Sequence, residues 1–450
     1  MQQNTIAAIA SPPGIGAVAL IRMSGPDVLE IARQAFRPLP ASPTKRYQYF
    51  GKVFSKSGET IDEVLLTYFD SASFTGEPTV EIACHGGVVV TKCILDRLFE
   101  LGAAPAQPGE FSQRAFFNGK IDLTQAEAIM DIISAQTELS VRAANQQLSG
   151  RLGDELQKMR EDLIAAIAHV EAYIDFPEED IDPDSENAIK GRIADVLGRL
   201  RSLLATADQG RILREGVLTV ICGAPNAGKS SLLNRLLGFD RAIVSGTAGT
   251  TRDTIEESVN IEGIPLRMVD TAGLRESDDD IEQQGIERTR QQIDNAELVL
   301  QIVDASMPRS AAEIVEVPEQ IPSLLILNKV DLAVHSDWSS YNQSGGVVEI
   351  SCLDDRGIDS LRGEILERLT GSRGGFDRAN LAAINARHQS CLKQAEPSLE
   401  RAIEQVDEKA SPEYIAFEIR EGLDHIGQVI GKTDIEEILG EIFGTFCIGK

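Results

Sequence analysis

Three short segments bring together residue types that can handle a nucleoside triphosphate: Gly223 to Ser230 reads GAPNAGKS, Asp270 to Gly273 reads DTAG, and Asn328 to Asp331 reads NKVD. In the first, Gly223 and Gly228 bracket a loop that can turn sharply and lay its backbone N–H groups against phosphate oxygens, because glycine has no Cβ to hold a ligand away. Lys229 then offers a point charge to the β and γ oxygens, and Ser230 a hydroxyl to Mg²⁺. Asp270 is placed to hold the same metal through water, and the Gly273 amide to sense a γ-phosphate. In the third segment the Asp331 carboxylate can accept hydrogen bonds from N1 and the exocyclic amine of guanine, a pair of donors that adenine lacks. Each segment alone would read as a turn or a solvated loop. In this order and spacing they predict a guanine-nucleotide switch that hydrolyses GTP.

Such a site needs strands that deliver each loop to one place. Val217 to Ile221, before the glycine-rich loop, is a β-branched apolar run that reads as a buried strand, and Ser231 to Leu237 after it reads as a helix. A helix N-terminus at the phosphates adds favourable dipole electrostatics. Leu266 to Val269 and Leu324 to Leu327 are further apolar strands, ending at Asp270 and Asn328. The texture differs on either side. Residues 1–118 carry short β-rich runs broken by glycine and proline, such as Gly16 to Arg22 and Val64 to Phe69, and predict an α+β domain. From Asp122 to about Ala207 apolar residues recur at three and four, as they do again through Leu381 to Leu399 and Ile415 to Ile442. The expected architecture is an α+β N-terminal domain (1–118), an α-helical domain in two parts (119–212 and 376–450), and an α/β P-loop GTPase domain with a mostly parallel sheet (213–375) inserted between those parts.

Composition narrows the function classes. The chain has 450 residues, 42% hydrophobic and 25% charged, which is ordinary globular material of roughly three domains. It shows no apolar run long enough to cross a bilayer and no basic n-region with a hydrophobic segment at the start, so a cytoplasmic protein is expected. Six scattered cysteines without a CxxC pair argue against a disulfide framework or zinc site, and none of the five dispersed histidines reads as a metal ligand. A formal charge of −27 argues against a broad nucleic-acid-binding surface, since phosphate neutralisation needs clustered Lys and Arg, and leaves most phosphate contacts to a basic partner. The acidic run Glu178 to Asp184 reads as a solvated interhelical loop.

Further motifs run from end to end: Ser11-Pro12-Pro13-Gly14 with Ile21-Arg22, Ser73-Phe74-Thr75-Gly76-Glu77, His85-Gly86-Gly87, Pro108-Gly109-Glu110-Phe111, Arg114 through Asn118-Gly119-Lys120 to Leu123, and Phe446-Cys447-Ile448-Gly449-Lys450 at the end. With them the chain closely resembles the tRNA modification GTPase family MnmE (TrmE). The terminal Cys-x-Gly-Lys and the asparagine in GAPNAGKS are the most specific points of likeness. The resemblance implies a homodimer that works with an MnmG (GidA)-type FAD flavoprotein on tRNA. Together they would install an aminomethyl or carboxymethylaminomethyl group at C5 of the wobble uridine, the carbon coming from a reduced folate such as 5-formyltetrahydrofolate. It implies a folate site that falls on Arg22, Glu81, Lys120 and Lys450, where a carboxylate can pair with the polar edge of a pterin and cations suit a glutamate tail. Without the resemblance, Glu81 and Lys120 would read as surface charges. Cys447 stays open between a nucleophile and a packing or positioning role, since no His or Asp accompanies it in sequence.

The resemblance also fills in the hydrolytic site. Where Ras-like switches keep a glutamine after DTAG, this chain has Leu274, which cannot position water. The family's catalytic glutamate falls on Glu282, within the charged stretch Arg275 to Glu282, and is expected to act through a bridging water beside Lys229. No arginine finger is evident. In the family K⁺ takes that electrostatic role once two GTPase domains meet, and Asn226, Ser245, Thr247 and Thr250 would cage it. Gly249-Thr250-Thr251-Arg252-Asp253 resembles switch I, with Thr251 joining Ser230 on Mg²⁺. The full set expected to touch GTP is Asn226, Ala227, Gly228, Lys229, Ser230 and Ser231; the loop Ser245, Gly246, Thr247, Ala248, Gly249, Thr250 and Thr251; Asp270, Thr271, Ala272 and Gly273; and Asn328, Lys329, Asp331, Ser351 and Cys352. The base-supporting loop usually reads Ser-Ala; here it is Ser351-Cys352, tolerable because the backbone amide contacts the base.

Two other readings stand beside the tRNA-modifying GTPase. One is an RNA-associated or ribosome-assembly switch without carbon transfer; the other is a folate-dependent transfer enzyme that uses the GTPase only as a regulator. Folate binding that depends on Arg22 and Glu81 separates the first reading from the switch. Loss of wobble-uridine modification in an Asp270→Ala protein that still binds folate would count against the regulator.

Overall fold

The computed structural model describes residues 4–175, 184–239, 256–270, 290–310, 314–339, 346–371, 376, 384–432, 442–444, 446–447 and 449. The chain divides into two compact units. One comprises 1–130, 152–164 and 423–450, the other 131–151 and 165–422.

The first unit is built on a seven-stranded sheet of β1 (Ile6–Ile9), β2 (Val18–Ser24), β3 (Phe36–Arg37), β4 (Gln48–Phe54), β5 (Thr60–Phe69), β6 (Thr79–His85) and β7 (Ala104–Pro105), in the order β3-β4-β5-β6-β2-β1-β7. Every pairing is antiparallel except β1 with β7. The two-residue period of a strand divides its side chains between two faces. Ala19, Ile21 and Met23 of β2 and Val80, Ile82 and Cys84 of β6 join a core with α1 (Val28–Ala35) and α2 (Val88–Glu100), through Val28, Ile31, Ile94 and Leu98. On β1 the alternation puts Ala7 in that core, while Ile6 and Ala8 pack with Phe111 of α3 (Glu110–Phe117). Phe443 and Phe446 near the C-terminus are buried with Leu123 and Ala126 of α4 (Leu123–Ser134). This brings the last residues of the chain into the same unit as the first.

The second unit holds helices α5 (Glu138–Leu148), α7 (Asp184–Leu204), α8 (Ala207–Glu215) and α11 (Ala386–Asp407), parts of α6 (Arg151–Asp175) and α12 (Pro412–Ile430), and a six-stranded sheet. That sheet contains β8 (Val217–Cys222), β9 (Glu256–Ile261), β10 (Ile264–Asp270), β11 (Leu298–Asp304), β12 (Ser323–Asn328) and β13 (Val347–Glu349), in the order β13-β12-β11-β8-β10-β9. All pairs are parallel except β9 with β10. Both faces are covered, as parallel sheets require. Leu298, Leu300 and Ile302 of β11 face a core shared with Leu232 and Leu236 of α9 (Lys229–Phe239) and Leu361 and Ile365 of α10 (Ile358–Thr370), while Val299 and Val303 face the other side. This is why β8, β11 and β12 read as continuous apolar runs rather than as alternating ones.

Within this unit the tip of the β9–β10 hairpin meets the helices. The Thr137 hydroxyl donates to the Gly263 carbonyl (2.7 Å) and caps α5 by accepting from the Ser140 amide. Ser140 Oγ donates in turn to the Leu213 carbonyl at the end of α8 (2.6 Å), and Leu139 and Leu213 are buried together. Lys190 with Asp407, and Arg201 with Glu396 and Glu400, tie α7 to α11.

The strands predicted before each motif are all present, as β8, β10 and β12, and the helix predicted after the glycine-rich loop begins at Lys229. Helical texture after Gly375 resolves into α11 and α12. The acidic run 178–183 lies outside the described residues, and Asp184 opens α7.

Candidate nucleotide site

Because β8, β10, β11, β12 and β13 run the same way, their C-terminal ends lie along one edge of the sheet, the place where open α/β sheets bind ligands. The glycine-rich loop leaves β8 there and enters α9, whose positive end faces it. The loop closes tightly. A Cβ on Gly223 would stand 2.0 Å from the Ile302 carbonyl oxygen, and one on Gly228 would stand 2.2 Å from Asn328 Nδ2; both backbones lie at positive φ. Glycine is therefore required at both positions by close approach as well as by conformation. Asn226 occupies the left-handed region at φ 63° with an exposed side chain, and Ala227 is buried. Lys229 Nζ donates to the carbonyls of Gly223 and Ala224, both at 2.9 Å, which folds the ammonium over the loop. Ser230 and Ser231 are exposed in the first turn of α9. Asp270 ends β10 in register with Ile221, one residue before the end of β8.

The base-recognition segment follows β12. Asn328 is buried, and its side chain joins two loops: Nδ2 donates to the Ala227 carbonyl (2.8 Å), and Oδ1 accepts from the Cys352 amide (3.2 Å). Lys329 sits in the left-handed region at φ 65° and its ammonium pairs with Asp304 at the end of β11. Burial pushes the Asp304 carboxyl up, but the hydrogen bonds from Lys329 and from the hydroxyl and amide of Ser306 outweigh it and hold the group below the usual carboxylate range. Asp331 is exposed at the same edge. Ser351 is fully buried, and Cys352 beside it is half-buried, its thiol pushed up to about 11 chiefly by desolvation, so it stays protonated at neutral pH.

The structure therefore brings Asn226 to Ser231, Asn328, Lys329, Asp331, Ser351 and Cys352 to one edge, with the end of β10 beside them. Ser245 to Thr251, Thr271 to Gly273 and Glu282 lie outside the described residues. Asp304 is not singled out by the sequence motifs; the signal it offers is its place at the end of the mostly apolar run Leu298 to Val303.

A second constellation lies on the first sheet. Arg22 of β2 and Glu81 of β6 are direct cross-strand partners on the face opposite α1 and α2. Arg22 Nε donates to Glu81 Oε1 at 2.9 Å, and Nη2 approaches the same oxygen at 2.8 Å. The guanidinium lies 5.5 Å from the Phe74 ring centroid and 5.7 Å from that of Phe111, contacts that no sequence period announces. Lys120 is exposed and lies against the 73–77 loop: its Cγ would meet a Cβ on Gly76 at 3.1 Å, and Asn118 Nδ2 donates to the Thr75 carbonyl. Lys450 lies outside the described residues, but Gly449 packs against Ile9 and Ala10 at the end of β1. Cys447 is exposed. Among the described residues, no helix is long and apolar enough to cross a membrane.

Comparisons with known proteins cover the whole chain. The family profile described as the GTP-binding protein TrmE N-terminus matches residues 5–120, and the one described as the MnmE helical domain matches residues 123–447. Among curated proteins, the tRNA modification GTPase MnmE of Akkermansia muciniphila is 47% identical over 100% of this chain and 99% of its own. The proteins of the same name from Natranaerobius thermophilus and Aquifex aeolicus are 42% and 40% identical, each over the full length of both chains. With profiles matching on both sides of the phosphate loop and likeness sustained from end to end, the chain belongs to the MnmE family of tRNA modification GTPases.

Proposed function

We propose that this chain is a GTP hydrolase acting in tRNA modification. With an MnmG-type FAD flavoprotein, it would install an aminomethyl or carboxymethylaminomethyl group at C5 of the wobble uridine. The observation that carries the reading is the convergence of the phosphate loop, the Asn328–Asp331 segment and the Ser351–Cys352 loop on one sheet edge, in a chain with full-length likeness to tRNA modification GTPases. In this reading Lys229 neutralises the β and γ oxygens, the loop amides from Asn226 to Ser231 cradle them, and Asp331 selects guanine. Glu282 orients the attacking water through a second water, taking the place of the glutamine absent at Leu274. Ser230 and Thr251 are oxygen donors suited to Mg²⁺, with Asp270 behind them. The Gly273 amide would sense the γ-phosphate, Thr271 and Ala272 would contribute to GTP binding, and Gly246, Ala248 and Gly249 would complete the switch loop.

The exposed side-chain carbonyl of Asn226, at a left-handed turn beside the phosphates, fits an oxygen cage for K⁺ completed by Ser245, Thr247 and Thr250. A cation there would supply positive charge against the developing phosphate charge. The Arg22–Glu81 pair, with the exposed Phe74 ring beside it, fits the polar edge and flat face of a pterin, and Lys120 and Lys450 suit its glutamate tail. A reduced folate there would supply the one-carbon unit. We further place the protein in the cytoplasm as a homodimer.

The deciding measurement is mass spectrometry of tRNA nucleosides from a deletion strain complemented with wild type or Glu282→Ala. Wild type should restore the wobble modification and Glu282→Ala should not; full restoration by Glu282→Ala would overturn the proposal. Equal GTP turnover in KCl and NaCl would remove the K⁺ element from it.

A further inference from the structure

The loop that supports the base is held from two opposite sides, and one of the holders is a residue on the phosphate-loop helix. Arg235, in the second turn of α9, reaches across to the segment after β13. Its Nε donates to the Cys352 carbonyl at 2.8 Å, Nη2 donates to the Leu353 carbonyl at 3.1 Å, and Nη1 pairs with the Asp355 carboxylate at 3.0 Å. From the other side the buried Ser351 hydroxyl accepts from the amides of Leu353 (3.2 Å) and Asp354 (3.3 Å).

These contacts fall on the same two peptide units. In the unit joining 352 to 353, the carbonyl is taken by Arg235 and the amide by Ser351; in the unit joining 353 to 354, the arrangement is repeated. Both peptide planes are fixed at each end, which holds the chain rigid on the C-terminal side of Cys352, while its own N–H, in the preceding unit 351–352, is held by Asn328. That amide is the one directed at Asn328 Oδ1, beside the base-recognition segment. The guanidinium fork suits the task, because a planar group with several donors can serve adjacent carbonyls and a carboxylate at once, which an ammonium cannot.

We propose that Arg235 is a positioning residue for purine recognition: by holding the Cys352 and Leu353 carbonyls it keeps this turn, and with it the Cys352 amide, poised beside Asn328 where the 6-oxo side of the base would sit, and it couples that loop to the helix that begins at the phosphates. The inference rests on the GTPase reading above. The 2-amino group is read separately by Asp331, so the two determinants can be told apart with purine nucleotides. A 6-oxo base, guanine or hypoxanthine, presents an acceptor to the amide, whereas the 6-amino group of adenine presents donors.

The test uses the full-length protein with Mg²⁺ and titrates GDP, IDP and ADP against wild type, Arg235→Ala, Arg235→Lys and Asp331→Asn. Arg235→Ala should raise the Kd of GDP and IDP together by about tenfold, the effect of losing hydrogen bonds to a charged group at a partly exposed site. It should leave the Kd of ADP within twofold, keep the GDP-to-IDP ratio, and raise KM for GTP more than it lowers kcat. Arg235→Lys should recover only part of the loss. Asp331→Asn should instead collapse the GDP-to-IDP ratio. Unchanged GDP affinity in Arg235→Ala, or equal weakening of GDP, IDP and ADP, would overturn the proposal, the second outcome marking general damage to the phosphate loop. Should Arg235→Ala prove unstable, Asp355→Ala removes one arm of the clamp and should show the same pattern at about two- to threefold. A wild-type protein that binds ADP as well as GDP would sink the GTPase reading itself, and is seen before any variant is made.

Discussion

In the six-stranded sheet the candidate chemistry sits beyond the strand ends and is made largely of backbone: loop amides, a helix terminus and peptide units pinned by Asn328 and Ser351. In the seven-stranded sheet it sits in mid-strand and is made of side chains, Arg22 opposite Glu81 with two rings beside them. The contrast follows from strand direction. Parallel strands deliver all their C-terminal loops to one edge, so a site can be assembled from glycines and amides that approach a ligand closely. Antiparallel strands send successive loops to opposite edges. What they bring together is cross-strand pairs on one face, and specificity there has to come from side-chain type.

This contrast predicts that the two sites fail differently. A backbone-built site should collapse when a single Cβ is added. Gly228→Ala places a carbon against Asn328 Nδ2, which in turn holds the Ala227 carbonyl and the Cys352 loop. We expect GDP affinity to fall by more than about a hundredfold, since a strained positive-φ backbone and a broken buried hydrogen bond each cost on the order of 1–3 kcal/mol. Isothermal titration with GDP checks this, and a loss below tenfold would mean that the loop relaxes and that the contrast is overdrawn.

A side-chain-built site should instead respond in proportion to the group removed. Glu81→Gln keeps the shape of the β6 side chain while removing the charge that faces Arg22. The expected effect is about a tenfold loss of affinity for 5-formyltetrahydrofolate, the scale of one charge-assisted hydrogen bond, with GDP affinity retained. A matching loss of GDP affinity would show that the two sites are not energetically separate.

The smallest effect sharpens the backbone side of the comparison. The Asp304 carboxyl lies below its ordinary range when folded, so its ion pair with Lys329 contributes stability that is present above the unfolded carboxylate pKa and is lost as pH falls through the folded value. The stability difference between wild type and Asp304→Asn should hence be flat from neutral pH to about pH 5 and shrink below about pH 4. Urea denaturation at stepped pH measures it. A difference that grows on acidification would reverse the assigned sign.

Much of the nucleotide site was legible in the residues alone. Val217 to Ile221 and Leu324 to Leu327 are apolar on both faces, save for Thr219, because a parallel sheet is covered on both faces; Leu266 to Val269 is interrupted by Arg267, and each of the three ends at a motif whose glycine, lysine or carboxylate has a defined task. The N-terminal face was less legible. Glu81 reads as a surface charge until β6 is paired with β2, and nothing in the spacing of Phe74, Phe111 and Arg22 announces that they meet.

What the sequence determined by itself was the chemistry of short, contiguous stretches, where spacing along the chain equals position in space: the phosphate loop, the guanine-reading segment, the strand and helix periods, and the likeness to MnmE-type GTPases. Tertiary structure alone decided the long-range pairings. These are Arg22 with Glu81 across 59 residues, Asn328 with Ala227 across 101, Arg235 with the Cys352 carbonyl across 117, and Thr137 with Gly263 across 126. The physical reason is that sheet register and helix packing are fixed by burying whole faces of apolar side chains, so a polar residue's partner is set by how distant elements stack and not by its own neighbours in the chain.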